Sequence, residues 1–232
     1  KPFVPEKFLE KAVVTYTNVN PDEIEAALRE NINRDELLGK FGLPKDKFLV
    51  LGLGQFIDRK GRWVFLEAAR KILEKTRDTV FVWISNTVLT EAEQAKVESF
   101  GLGGNFFLIK SEDVGSAHLD LMKFLRLADV YTLPSFVEGL PISLLEAMAL
   151  GIPSVSTNVY AIPEAVKNGE TGILIEAGDA DALAAAIEKL KNDAGLRKKL
   201  GESGRNWVLQ NFNEKTVAEI AFQAYQKSFE SR

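Results

Sequence analysis

Phe48-Leu49-Val50-Leu51-Gly52-Leu53-Gly54 is a short run, apolar on both faces and closed by glycine. Strands of a parallel sheet, buried on both faces, read this way. From Arg62 to Lys75, the residues Val64, Phe65, Ala68, Ala69, Ile72 and Leu73 recur at helical spacing. That pattern predicts an amphipathic helix with one apolar stripe. Thr79-Val80-Phe81-Val82-Trp83-Ile84 is a second buried run. Strand, helix and strand in succession form the crossover unit that parallel pairing requires.

Outward from this unit the alternation continues. Thr90 caps a helix to about Phe100, with Glu93 completing a capping box. Asn105 to Ile109 reads as a strand, Ser116 to Leu127 as a helix and Val130 to Leu133 as a strand. Then come a helix from Pro141 to Leu150, a strand from Pro153 to Ser156, a short helix near Pro163 to Lys167 and a strand from Gly172 to Ile175. Asp181 to Lys191, Gly195 to Gln210 and Glu214 to Phe229 read as closing helices. Upstream, the first 47 residues are charged and irregular, with helices expected from Asn20-Pro21 to Glu30 and from Arg34 to Phe41. The fold class is α/β: a Rossmann-like, mostly parallel sheet covered by helices on both faces, with extra C-terminal helices. Ligands of such sheets bind beyond the carboxyl ends of the strands.

Composition narrows the chemistry. The 232 residues are 46% hydrophobic and 27% charged, which is the balance of a globular protein. The formal charge of −4 lacks the basic excess of a polyanion binder, so nucleic acid is not an expected partner. Cysteine is absent, which removes disulfides and thiol catalysis. The single His118 cannot build a histidine-rich zinc site, and it reads as ordinary surface or packing. No apolar run is long enough for a membrane span and no leader pattern is visible, so a cytoplasmic location is expected. The first residue is Lys1 rather than Met, as in an excised piece.

Two strand ends carry candidate chemistry. After Gly52-Leu53-Gly54 comes Gln55-Phe56-Ile57-Asp58-Arg59-Lys60-Gly61. Ile57 stands where a dinucleotide fingerprint needs its third glycine, and Gly61-Arg62 follows Lys60 where a P-loop needs Ser or Thr. Arg59 and Lys60, ahead of a helix, remain as either an anion clamp or solvated surface. The fourth strand leads into Pro134-Ser135-Phe136-Val137-Glu138-Gly139-Leu140-Pro141-Ile142-Ser143-Leu144-Leu145-Glu146. Gly139 frees the backbone and Pro141 pre-sets the first helical turn, which leaves the N–H groups of Ile142 and Ser143 for a diphosphate. Glu146 is the only charged residue between Glu138 and Glu164, on a helix apolar all round. A carboxylate buried there needs donors. A vicinal diol such as a ribose supplies two, and an internal backbone N–H or arginine is the equal alternative.

The Pro134-Ser135 to Glu138-Gly139 stretch, Glu146-Ala147-Met148-Ala149, Gly151 and Pro153 resemble the signature of group-1 retaining glycosyltransferases, which have a two-domain B-type (GT-B) fold. The spacing of Glu138 and Glu146 matches the paired-glutamate motif, and Lys60-Gly61 matches the basic loop. Ala128-Asp129-Val130, Glu164-Ala165-Val166 and Asn168-Gly169-Glu170-Thr171-Gly172 also fit. The resemblance implies that Glu146 holds the ribose of a nucleotide-diphosphate sugar and that Glu138 binds the transferred sugar. It implies that Lys60, Arg59 and the backbone from Gly139 and Leu140 through Pro141 to Ser143 hold the diphosphate with no metal and no other cofactor. Gln55, Ile109 and Lys110 fall on its donor pocket. The pattern is broken at Gln55, where Arg is usual, and at Ser85-Asn86-Thr87 and Lys110-Ser111, where glycines are usual.

The resemblance further implies one nucleotide-sugar-binding domain over residues 1–232, with a core at 47–191 and C-terminal helices at 192–232. The acceptor-binding domain is then absent, and the chain alone is inactive. The donor base, UDP, GDP or ADP, stays open. Three other readings compete with this one. A glycoside hydrolase would use Glu138 and Glu146 as an acid/base pair. A degenerate module would serve only binding or assembly. A sugar-nucleotide epimerase would need more histidines than the chain has. In the last helix, Val217, Ile220, Ala221, Ala224 and Tyr225 form an apolar stripe that completes a core or, with the other domain absent, favours self-association.

Overall fold

The structure, a computed structural model, describes residues 12–230. Six strands form one parallel sheet: β1 (Phe48–Leu53), β2 (Thr79–Ile84), β3 (Phe106–Ile109), β4 (Val130–Leu133), β5 (Ser154–Thr157) and β6 (Ile173–Ile175). Their order is β3-β2-β1-β4-β5-β6. The order reverses between β1 and β4, so right-handed crossovers lay the helices of the two halves on opposite faces. In a sheet of this order the ligand crevice lies at that reversal, beyond the strand ends.

The helices are α1 (Pro21–Arg29), α2 (Arg34–Lys40), α3 (Arg62–Leu73), α4 (Glu91–Ser99), α5 (Ser111–Val114), α6 (His118–Leu125), α7 (Ile142–Ala149), α8 (Ile162–Ala165), α9 (Ala180–Asn192), α10 (Ala194–Asn211) and α11 (Glu214–Glu230). The Asn20 side chain accepts from the N–H groups of Asp22 and Glu23, as its capping position requires. The Thr90–Glu93 capping box forms as expected. Arg62 anchors α4 through Glu93, whose carboxyl is held down to about 2, first by the Thr90 N–H and then by the Arg62 guanidinium.

Two expectations are corrected. The helix expected over 116–127 is the shorter α6, which starts at His118, and an unexpected short helix, α5, precedes it across extended backbone at Gly115. A side chain at Gly115 would strike Asp120, with its Cβ 2.4–2.7 Å from that carboxylate. Asp120 turns back instead and accepts from the Ala117 N–H at 3.4 Å, which starts α6 at His118. Pro141 also stands just outside α7, with ψ 126°, and the helix begins at Ile142.

The core lies on both sides of β1 and β2. Trp83 is fully buried, with Phe65 edge-on at 5.0 Å and Phe56 at 5.3 Å. Its indole lies across Gly52, where an added Cβ would come within 2.6 Å of the ring. Replacing a buried aromatic of this kind with Ala costs about 3–5 kcal/mol. The N-terminal segment is tied to this body. Val19 and Phe212 share a 2.9 Å backbone bond, Arg126 donates to the α1 carbonyl of Ala27, and Arg205 pairs with Glu25. In α11, Val217 is buried and Ile220, Ala221 and Ala224 are half-buried, whereas Tyr225 is exposed. The expected stripe therefore packs only over part of its length.

Candidate functional site

The loops after β1 and β4 face each other across the crevice and are stitched together. After Gly54 the chain makes a 3-10 turn at Asp58–Lys60 that ends on Gly61, with φ 77°. A Cβ at Gly61 would sit 1.9 Å from the Pro134 carbonyl oxygen, so only glycine lets the two loops approach this closely. The Phe136 N–H donates to the Arg59 carbonyl at 2.9 Å, which closes the seam.

That seam aligns charge. The Lys60 ammonium pairs with Oε1 of Glu138, and the Ser135 hydroxyl donates to the same oxygen at 3.0 Å. Arg59 is 4.0 Å from the other Glu138 oxygen and donates to the Val137 carbonyl at 3.2 Å. Glu138 and the Lys60 side chain are almost fully buried, and Arg59 is half-exposed. A buried ion pair returns its desolvation cost only when further hydrogen bonds satisfy it, and Ser135 provides one.

Next to this pair, α7 begins with no capping side chain and no acidic residue in its first turn. The N–H groups of Ile142 and Ser143 have no acceptor inside the helix, and the helix dipole makes this end attractive to an anion. The helix start is fixed from below. The buried Tyr131 hydroxyl donates to Ser143 Oγ at 2.8 Å, and that hydroxyl donates to the Leu53 carbonyl at 3.4 Å. Burial, with Glu146 and Glu138 nearby, pushes the Tyr131 phenol well above its ordinary range, so it remains a donor. An added Cβ at Gly139 would meet nothing within 4 Å, and Ile142 is 52% exposed.

One turn further along α7, Glu146 is 5% exposed. Its Oε1 is 2.9 Å from Nε2 of His118, whose Nδ1 is 3.0 Å from Oε2 of Glu23 on α1. Burial raises the Glu146 carboxyl, and His118 opposes that rise. Partial burial pulls His118 down, but the Glu23 and Glu146 carboxylates outweigh it and leave the imidazole raised. The reading of His118 as ordinary surface or packing is thus corrected: it is the partner of Glu146. Among the described residues, His118 rather than a backbone N–H or an arginine is the partner shown at Glu146. No local pattern signals this contact, because it joins positions 28 and 95 residues apart in the chain.

The remaining expected positions lie on the β2–β3 side. Gln55 is exposed, and its carbonyl accepts from the Ile57 N–H at 3.1 Å. The turn that replaces the usual glycines is tightly bonded. Ser85 Oγ and Thr87 Oγ1 both accept from the Phe56 N–H, at 3.0 and 2.9 Å, and Ser111 bonds Asn86. Ile109 is buried, and its carbonyl accepts from the Ser85 N–H at 2.9 Å. Lys110 is exposed beside Glu112 at 3.7 Å. The structure therefore gathers Arg59, Lys60, Glu138, Gly139 to Ser143 and Glu146 along the β1–β4 crevice. Ile109 and Lys110 stand apart, past β2. Among the described residues, no cluster of His, Asp and Glu has the arrangement of a metal site, and no helix is long and apolar enough to cross a membrane.

Comparison with known proteins gives these features a context. A family model described as "Glycosyl transferases group 1" matches residues 33–207. The capsular polysaccharide biosynthesis glycosyltransferase CapM of Staphylococcus aureus is 30% identical over 211 residues, covering 89% of this chain and 53% of CapM. A glycosyltransferase from Rickettsia africae superposes with a TM-score of 0.82 at 21% identity, covering 95% of this chain and 58% of that one. Anabaena HepE, solved in complex with UDP-glucose, superposes with a TM-score of 0.76 at 17% identity, covering 94% of this chain and 57% of that one. The chain spans about half the length of the curated relatives it matches.

Proposed function

The chain belongs to the group 1 glycosyl transferases, and from that premise we propose that it is the donor-binding half of an enzyme that moves a sugar from a nucleotide-diphosphate sugar to an acceptor with retention of configuration. The observation that carries this reading is the convergence, at the reversal of strand order, of a paired ammonium, an uncapped helix start and two carboxylates. Each matches one part of such a donor. The Ile142 and Ser143 N–H groups, with Lys60 and Arg59, take the diphosphate. Glu146 accepts from the two ribose hydroxyls, and Glu138 accepts from hydroxyls of the transferred sugar.

Transfer breaks the bond between the anomeric carbon and a diphosphate oxygen, and the electron pair stays on that oxygen. Fixed donors aimed there meet the growing charge without reorganising, which lowers the barrier. Lys60 is engaged with Glu138 in the free chain. On this reading the incoming diphosphate takes up part of that ammonium, and the sugar hydroxyls satisfy the carboxylate it releases. The whole chain acts as one nucleotide-sugar-binding domain, and the acceptor is bound by a second domain supplied from outside these residues. HepE, captured with UDP-glucose, lends support through its shared fold.

Calorimetric titration with UDP, GDP, ADP and their sugar conjugates tests the reading. One nucleotide binds the wild type, and Glu146→Ala weakens it about tenfold or more, since hydrogen bonds to a charged group are worth about 1.5–3 kcal/mol. The same wild-type sample turns over none of the sugar conjugate. No binding of any nucleotide to folded wild type, or unchanged binding to Glu146→Ala, contradicts it.

A further inference from the structure

Glu146 poses a difficulty for the role just given to it. A diol donates two hydrogen bonds, and only the charged carboxylate accepts both freely. Yet this carboxylate is buried on a helix whose neighbours Leu144, Leu145, Ala147, Met148 and Ala149 are all buried and apolar. Burial favours its protonated form. Something must hold the charge in place, and His118 is the group in position.

Both ring nitrogens of His118 face carboxylate oxygens, Nδ1 at 3.0 Å from Glu23 and Nε2 at 2.9 Å from Glu146. With both carboxylates ionised, each ring nitrogen faces an acceptor, an arrangement that a doubly protonated imidazolium satisfies. The other charged groups nearby are directed elsewhere. On its own helix, Asp120 caps Ala117 and lies 3.8 Å from Lys123, which also pairs with Glu30. On α5, Glu112 pairs with Lys110, and no ion pair or hydrogen bond joins Asp113 to the ring. From the packed neighbours α1 and α7, Glu23 and Glu146 are the groups that meet it. The contact with Glu23 is half-exposed on both sides, so it adds little stability by itself. Its effect is to keep the second nitrogen protonated.

We propose that His118, backed by Glu23, is a positioning residue that keeps the Glu146 carboxylate charged and oriented for the ribose hydroxyls of the donor. This rests on the donor-site reading above. His118 occupies one lone-pair direction of Oε1 and leaves the rest of the carboxylate's acceptor capacity to the ligand. The role predicts a two-sided pH dependence. Donor affinity falls in acid, as Glu146 takes a proton. It also falls in alkali, as His118 loses its own proton and the charge that supports Glu146 disappears.

The test uses whichever of UDP-glucose, GDP-mannose or ADP-glucose binds the wild type, because these diphosphate diesters do not themselves titrate near neutrality. Affinity is measured by calorimetry from acid to mildly alkaline pH. In His118→Ala the alkaline fall is expected to vanish and the acid fall to move to higher pH, with binding about tenfold weaker at neutral pH. In Glu23→Gln, where the ring stays in place, the alkaline fall is expected to move to lower pH. Because His118 is the only histidine, its ring gives a single set of NMR signals, and Glu146→Gln and Glu23→Gln should each lower its titration midpoint.

A loss of affinity equal at every pH would reduce His118 to a structural brace and overturn the proposal. Tighter binding by His118→Ala would make it a competitor of the ribose and overturn it too. Wild-type binding that is lost in Glu146→Ala, with pH profiles unmoved by the His118 and Glu23 variants, would leave the donor site standing without this role. Absence of any binding by folded wild type would remove the donor site and this role together, even if the ring still titrated with Glu146.

Discussion

Lys60 and Glu138 together concentrate the electrostatic cost of the site. Both are nearly buried, and each is the other's main charged partner, with Arg59 at 4.0 Å as a weaker second cation. Removing one member of a buried pair strands the other. Lys60→Ala should therefore destabilise the chain by about 2 kcal/mol, less than for a fully enclosed pair because Arg59 and water can move in. It should also weaken a nucleoside diphosphate about tenfold or more while changing nucleoside affinity little, since the ammonium is aimed at phosphate. Urea unfolding and calorimetry with a diphosphate and its nucleoside check both arms. Equal losses for the two ligands would remove Lys60 from the diphosphate site.

At the scale of elements, α10 packs behind α7, at the end opposite the proposed phosphate site. An added Cβ at Gly201 would lie 2.2 Å from the Gly151 carbonyl oxygen, and one at Gly204 would lie 2.8 Å from that of Thr171. Gly201→Ala must push α10 away and should cost about 1–3 kcal/mol, the usual range for overpacking. Diphosphate affinity of the folded variant should change less than about threefold. A large loss of affinity with intact stability would mean that α10 sets the geometry of the site. The elements themselves were legible because apolar periodicity is local: β1, β2, α3 and the Thr90 capping box all follow from adjacent residues. The late start at His118 of the helix expected over 116–127 was missed because it depends on Asp120 folding back to the Ala117 N–H. The candidate site divides the same way. Lys60, Glu138 and Glu146 stand in recognisable local spacing, whereas His118 and Glu23 reach Glu146 only through the packing of α1 and α6 against the sheet.

For the whole molecule, sheet order decides the location of chemistry. The reversal between β1 and β4 leaves a crevice that no crossover covers, and the seam at Gly61 and Pro134 forms one of its walls. Phe136, Val137 and Ile142 stand exposed on the same rim, consistent with a proposed active site completed by a second domain. Other hollows lie away from this crevice. One of about 380 Å³, beside Glu30, Ile32, Leu37 and Lys123, sits among α1, α2 and α6 and is a competing place for a small ligand. A crystal structure of the chain with the nucleoside diphosphate that binds it separates the two places directly. The expected result is a diphosphate against the Ile142 and Ser143 N–H groups and the Lys60 ammonium, with both ribose hydroxyls on Glu146. A nucleotide seated in the Glu30–Lys123 hollow, or with its ribose away from Glu146, would contradict the donor site at the β1–β4 crevice.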